Sequence, residues 1–405
     1  MKLNVWLILI LGGLATLGPL GTDLYLVALP TMADDFGVPG TTIQLTLSAF
    51  TIGMALGQLV IGAVSDRLGR RRILMAGLTV MMIAACWAAI APTAPALIVA
   101  CAFMGTAAAT GLVSGRAVVS DLASGHAATR AFSFLGLVTG IGPMIGPVVG
   151  AIFLTTLGWR SMFGFMAIFA AIWLLLVLLF VGESLPPEKR QVKSVKQMLL
   201  NYPEMFADPV FRYHALAFWS VFATIFAYIA ASSFLIMGIL NQPVIMFSAT
   251  FLATSVTGFS TGMLSTWLAK RVRARSLIRT GLIGMSFGAT LLATLVFTGN
   301  REYPLYLLSL ILLTGMFGFI AGPSNSIALT NQRHRGGTAF SVMGFMQWVS
   351  GGVVSTVIAA SGTSTAVPFA IAAIAAIAAI AAIVGTGLAI IFFNLGRKPA
   401  ASIDA

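Results

Sequence analysis

Gly62-Ala63-Val64-Ser65-Asp66-Arg67-Leu68-Gly69-Arg70-Arg71-Arg72 joins two apolar runs, residues 44 to 64 and 73 to 91, and places four arginines and one aspartate in that short connection. Each run is about the 20 residues that a helix needs to cross a bilayer. The rest of the chain repeats the pattern. Of its 405 residues 59% are apolar and 8% charged, with a mean hydropathy of +0.99, whereas a soluble domain carries roughly 25% charged residues. Such a composition cannot cover a surface that faces water, so the surrounding medium is lipid. Twelve spans would use about 240 residues and leave about 165 for termini and loops, so the loops must be short.

Working outward, runs punctuated by Pro, Gly and charge predict spans near residues 6 to 30, 44 to 64, 73 to 91, 96 to 120, 131 to 154 and 161 to 181. A second set follows near 213 to 238, 246 to 269, 277 to 297, 303 to 328, 338 to 360 and 367 to 394. With the N-terminus in the cytoplasm, 21 of the 23 Lys and Arg fall on the cytoplasmic side and only Arg160 and Arg301 on the other. That asymmetry predicts a multi-pass protein with both termini inside. The formal net charge of +12 then reads as topology and as attraction for anionic lipid heads, not as nucleic-acid binding. The apolar run from Val5 to Leu29 is longer than a signal-peptide core and lacks a small-x-small site followed by a polar mature start, so it is expected to be a retained span.

The longest connection, Gly182 to Arg212, contains Pro186, Pro187 and several lysines and divides the spans six and six. The expected organisation is an all-α polytopic protein of twelve helices: a six-helix bundle over 1–181, a cytoplasmic linker over 182–212, and a second bundle over 213–405 with a short tail. A shift of 204 residues lays Asp66-Arg67-Leu68 on Lys270-Arg271-Val272 and Ile73-Leu74 on Leu277-Ile278. The match supports two parallel repeats, an arrangement in which a transporter's substrate site lies at the repeat interface near the midplane. The Ala-Ile run from Ala370 to Ile383 is expected to face lipid.

Among the eleven acids, Asp23 alone lies inside a predicted span, away from its ends. A carboxylate in a bilayer costs at least about 2.5 kcal/mol, so it faces a cavity or a partner. On a helical wheel Gly12, Thr16, Pro19, Asp23 and Pro30 share one face. No basic residue lies deep in a span to serve as counter-ion, which suits a group that takes a proton from one side and releases it to the other. The bland alternative is that Asp23 caps a helix break made by Gly18, Pro19 and Gly21. Among uncharged polar residues in spans, Gln58, Asn325 and Gln347 each need a hydrogen-bond partner in lipid, and with Thr16, Tyr25, Cys101 and Tyr228 they are candidates to line a substrate cavity. Trp219, Phe222, Phe226 and Tyr228 read first as packing or lipid contact and second as a cavity wall. Cys86 is expected to be a packed, inert thiol.

In the opening connection Gly62 allows close packing, Asp66 can cap a helix N-terminus across an interface, and Arg67, Arg70 and Arg71 bind lipid phosphate or pair with a carboxylate such as Asp121. Together with Gly69, these residues are expected to gate the inner ends of the two halves. The pattern G-x-x-x-D-R-x-G-R-R resembles the signature loop of the major facilitator superfamily. In the fifth span, Gly142-Pro143-Met144-Ile145-Gly146-Pro147-Val148-Val149-Gly150 puts small residues on one face at four-residue spacing, with two prolines that remove backbone donors. It is similar to the antiporter motif of drug-exporting facilitators, with Ala151 in the final glycine position. Asp23 to Pro30, Gln44 to Ser48, Ser120-Asp121-Leu122, Gly337 to Ser341 and Gly344 to Gln347 resemble the bicyclomycin and chloramphenicol resistance branch, whose members are drug:proton antiporters. That branch usually carries R-x-x-Q-G in its fourth span, where this chain has Cys101 to Gly105, so the membrane arginine linked to proton coupling is absent.

The resemblance implies a monomeric exporter in a bacterial plasma membrane, with small apolar or amphipathic drugs of amphenicol or bicyclomycin type, protons and membrane lipids as its partners. The alternative is a facilitator that moves a metabolite such as a sugar or nucleoside. Polar substrates need several convergent hydrogen-bonding groups, and these spans hold few. An enzyme is not expected, because His126, His214 and His334 lie in or beside loops far apart in sequence, and no nucleophile-base pair or metal cluster is recognisable. No cofactor or metal is expected either.

Overall fold

A computed structural model describes residues 5–123, 125–190, 202–330, 336–362 and 366–375. Among them eleven helical stretches are long and apolar enough to cross a membrane. In chain order these spans are Val5–Phe36, Gly40–Leu68, Arg70–Ala89, Ala94–Leu122, Arg130–Thr156, Arg160–Phe180, Pro209–Ile239, Val244–Leu268, Ala274–Thr298, Tyr303–Leu329 and Ser341–Ala360. The expected twelfth span lies for the most part outside the described residues. Its start, 367–375, is helical, with Phe369, Ala370 and Ala373 buried and Ile371 and Ile374 exposed. The Ala-Ile run therefore begins with one face against protein rather than wholly against lipid.

Local chemistry sets the helix starts. Asp208 accepts the Val210 amide through Oδ1 at 2.9 Å, with Pro209 in the first turn, and Thr93 accepts the Ala96 amide ahead of the fourth span; both satisfy donors that a helix leaves unpaired. The second and third spans are separated by Gly69 alone, at φ 102°, a conformation that side chains rarely adopt. The second and eighth spans begin 204 residues apart, at Gly40 and Val244, as do the third and ninth, at Arg70 and Ala274.

The helices approach each other where glycine removes the side chain. A methyl group on Gly57 would stand 2.6 Å from the Thr106 carbonyl oxygen, and methyls on Gly53 and Gly105 would run into the carbonyls of Ala102 and Phe50. The second and fourth spans thus touch backbone to backbone, the expected mode where lipid is as apolar as leucine and dispersion drives association. Large apolar side chains such as Ile168, Leu179, Ile283 and Phe297 stay exposed on the outer surface, where lipid is the solvent.

The first span packs on the fourth and fifth, the second on the fourth, and the third on the fourth and sixth. The seventh packs on the tenth and eleventh, and the tenth also meets the eighth and ninth. Two long seams join these sets, second to eleventh and fifth to eighth, and the turn Leu26–Ala28 touches the seventh span. All of this places the middle of the first span at the centre of the bundle.

Candidate functional site

The first span is not one helix. It runs Val5–Ala15, Leu17–Asp23, a 3-10 turn Leu26–Ala28 and Leu29–Phe36, interrupted at Thr16 and at Leu24-Tyr25. Pro19 supplies no amide to the turn before it, and Thr16 closes its own break by donating Oγ1 to the Gly13 carbonyl at 2.7 Å. The single face expected from Gly12 to Pro30 is therefore split, and Pro30 falls on a separate helix. Asp23 ends the middle segment with 2% of its surface exposed. Its Oδ1 accepts from the Thr22 hydroxyl at 3.0 Å, while the same hydroxyl lies 2.9 Å from the Pro19 carbonyl.

Against this broken segment lies the small-residue face of the fifth span. A methyl on Gly142 would sit 3.0 Å from Pro19 Cβ, one on Gly146 3.1 Å from Asp23 Cβ, and one on Gly150 would run into the Leu24 carbonyl. The glycines thus form the seat of the segment that carries Asp23. The prolines have a second consequence. Pro147 has no N–H, so the Pro143 carbonyl loses its partner four residues on, and the Ser255 hydroxyl of the eighth span donates to it at 3.4 Å. Ser248, two turns away, donates to the Pro147 carbonyl at 3.0 Å.

Of the expected cavity residues, Tyr25, Cys101 and Tyr228 gather near Asp23. Tyr25 is 2% exposed, its ring is 5.4 Å from Phe163, and its hydroxyl lies beside Cys101 and Thr46 without completing a hydrogen bond. Cys101 is fully enclosed, whereas Cys86 is exposed, the reverse of a packed Cys86. Tyr228 is close enough to Asp23 to feel its charge, and its hydroxyl pairs with Thr254 at 3.3 Å. Gln58 sits apart on the second-to-eleventh seam, its Oε1 filling the space in front of Gly344 and its buried Nε2 unpartnered. Asn325 and Gln347, both half-buried, are not joined to the Asp23 group by any described contact. Trp219 and its neighbours pack inward. Trp219 donates to the Met343 carbonyl at 3.1 Å, and Phe222 lies 4.9 Å from Phe317.

Among the described residues, the contacts of the loop expected to gate the two halves stay within the first half and the start of the linker that follows it. Arg70 pairs with Asp66 and, through Nε at 3.1 Å, with Asp121; it also donates to Ser65 Oγ at 2.7 Å. Glu183 accepts the Arg70 amide at 2.9 Å, Ser184 donates to Asp121 at 2.8 Å, and Arg71 donates to the Leu178 carbonyl at 2.7 Å. The reason is local: Asp66 and Arg70 stand four residues apart across Gly69, so Asp66 meets a cation before it can reach another helix end. Gly62 has open room, with Val113 at 3.8 Å, and Arg67 lies on the exposed end of the second span. At the opposite end of the bundle Asp35 accepts from Arg160 at 2.7 Å and from Trp159 at 3.0 Å, and Gln44 donates to the Ala230 carbonyl at 3.1 Å. Among the described residues no group of three or more His, Cys, Asp or Glu could hold a metal ion.

Residues 11–356 match the Major Facilitator Superfamily. The chain belongs to that superfamily. It is 28% identical over 369 residues to the uncharacterised transporter YdgK of Bacillus subtilis, covering 91% of each chain. It is 26% identical to a bicyclomycin resistance protein homolog of Haemophilus influenzae, covering 89% of this chain and 90% of the other. Its fold is that of a D-xylose-proton symporter, with a TM-score of 0.74 at 17% identity over 93% of this chain and 96% of that one. The chain is a multi-pass membrane transporter of the facilitator type, not an enzyme. Sequence reasoning missed Ser248 and Ser255; the amide-less Pro143-x-x-x-Pro147 pair was a signal that some hydroxyl must serve the freed carbonyl.

Proposed function

We propose that this facilitator exports small apolar or amphipathic drugs in exchange for protons, with Asp23 as the group that carries the proton. The reading rests on one observation: Asp23, buried in the broken centre of the first span, is seated on Gly146 of the antiporter-type motif. The bicyclomycin resistance homolog supports a drug as cargo. Thr22 has one hydroxyl proton for three acceptors, the Asp23 carboxylate and the Pro19 and Gly18 carbonyls. When Asp23 is protonated it no longer needs that donor, and Thr22 turns to the backbone carbonyls of Pro19 and Gly18. Proton transfer at Asp23 is thereby coupled to the hydrogen bonding of the short segment Leu17–Asp23 that it ends. With Cys101 where the related branch has arginine, Asp23 carries the coupling without a cation at that position.

Alternating access would rock residues 1–181 against 213–405 about the linker 182–212, in a monomer in the bacterial inner membrane with both termini cytoplasmic. The Arg70 end is then the inner end, where the exposed Arg67 and Arg72 meet lipid phosphate. A membrane potential contributes about 2.3 kcal/mol per charge per 100 mV, enough, with a pH gradient, to sustain a large drug gradient. Asp23→Asn keeps the shape of the side chain but cannot titrate. In proteoliposomes it should abolish uphill drug export and leave drug binding measurable. Uphill transport that still follows the pH gradient would remove Asp23 from the mechanism, and unchanged sensitivity of a pump-deficient host to every drug tested would favour a metabolite facilitator.

A further inference from the structure

Trp348 is 5% exposed, and its indole Nε1 is buried with no hydrogen-bond partner. Indole N–H is donor only, with no alternative orientation in which it becomes an acceptor. A buried donor left unpaired carries its full desolvation cost, and tryptophan N–H groups usually find partners when buried. The place of this one is specific. Trp348 stands on the eleventh span at the seam with the first, second and seventh: a methyl on Gly18 would lie 3.7 Å from Trp348 Cζ2 and 2.9 Å from Met54 Cε, and the Phe226 ring is 5.4 Å from the indole. The benzo edge Cζ2–Cη2 faces the first span at Gly18, and Nε1, bonded to the same ring-fusion carbon as Cζ2, lies next to that edge, one to two turns from Asp23 along the chain.

The groups around this edge are an aromatic ring, a glycine and a thioether. Phe226 is fixed, since only glycine at 351 leaves room for it; a methyl there would stand 2.6 Å from Phe226 Cδ2. Met54 is the movable part, as unbranched thioether chains fill gaps and re-pack readily. One turn further along the second span the amide Nε2 of Gln58 is also a buried donor without a partner. The face thus offers donors and apolar surface, with no cation.

We propose that Trp348 is a specificity-determining, substrate-contacting residue: its indole N–H donates to a neutral acceptor group attached to the ring of an aromatic drug, such as a nitro or sulfonyl oxygen, and that drug displaces the Met54 side chain and stacks beside Phe226. This deepens the drug-export reading and rests on it. The site selects apolar planar molecules that carry an acceptor. It does not require a positive charge.

The test uses the full-length protein in detergent micelles with indole-15N-labelled tryptophan. The probes are chloramphenicol and its analogue with isopropyl in place of the nitro group. The Trp348 Nε1–H resonance, assigned by its loss in Trp348→Phe, should shift downfield on adding chloramphenicol and stay in place with the analogue. Trp348→Phe keeps the ring and should weaken chloramphenicol about five- to tenfold while leaving the analogue's affinity unchanged; Met54→Leu, which retains the donor, should retain the shift. No shift with chloramphenicol, or equal weakening of both probes in Trp348→Phe, overturns the proposal. A shift retained in a protein that shows no proton-coupled export would keep this contact and retire only the antiport reading.

Discussion

In the proposed alternating access, opening at the Asp35 end parts the fifth and eighth spans, and two serines bridge that seam. Ser248→Ala removes one donor from the Pro147 carbonyl, which keeps the amide four residues on within its own helix. Ser255→Ala removes the donor from the Pro143 carbonyl, whose helical partner is already absent because residue 147 is proline. Interhelical hydrogen bonds in membranes average about 0.6 kcal/mol with a maximum near 1.7. Ser248→Ala should therefore shift the equilibrium toward the form open at this end by about 0.6 kcal/mol, roughly threefold. Ser255→Ala should shift it by about 1.4 kcal/mol, roughly tenfold, despite its longer bond of 3.4 Å against 3.0 Å, because an unpaired carbonyl in an apolar seam costs more than a lost second acceptor bond. The serines lie two turns apart, about 10 Å along the helix, so their effects should add to about 2 kcal/mol, roughly thirtyfold. Spin labels at the exposed positions Leu157 and Ile245, in a Cys86→Ser background, would read the populations by pulsed electron resonance. An unchanged distance distribution in the double variant would refute the latch. A larger effect for Ser248→Ala than for Ser255→Ala would refute the argument from the missing proline amide.

Two further predictions concern the ends of the bundle and its thiols. Arg70→Ala leaves Asp66 and Asp121, with side chains 29% and 17% exposed, without the cation that they share, and should cost about 2–3 kcal/mol, seen as a lowered unfolding temperature in detergent; Arg70→Lys should recover only part, because one ammonium cannot fork between two carboxylates, and a wild-type melting curve for Arg70→Ala would count against the cluster. A membrane-permeant maleimide should label exposed Cys86 and spare enclosed Cys101. Equal labelling of both would show that the contact of Cys101 with Tyr25 opens on the labelling timescale.

The sequence by itself determined the medium, the span count where it can be compared, and the sites of the turns. Hydropathy period and charge report what each residue faces within a turn or two, which is why the arginine-rich connection, the Asp208-Pro209 start and the 204-residue repeat were legible. It also singled out Asp23, because the cost of a carboxylate in lipid is a property of the residue and its run alone. The pairing of Asp66, Arg70 and Asp121 was legible in part; that it closes within one half followed only from the tight turn at Gly69. Tertiary structure decided the partners: that Gly146 seats Asp23, that Ser248 and Ser255 serve carbonyls 101 and 112 residues away, that Cys101 is enclosed and Cys86 exposed, and that the Trp348 donor stands unpaired beside Gly18. The physical reason is that lipid and protein interior are equally apolar. Hydropathy cannot tell which face of a span meets a neighbour, and that choice is made only when glycine-lined backbones and hydroxyl-to-carbonyl bonds bring particular helices together.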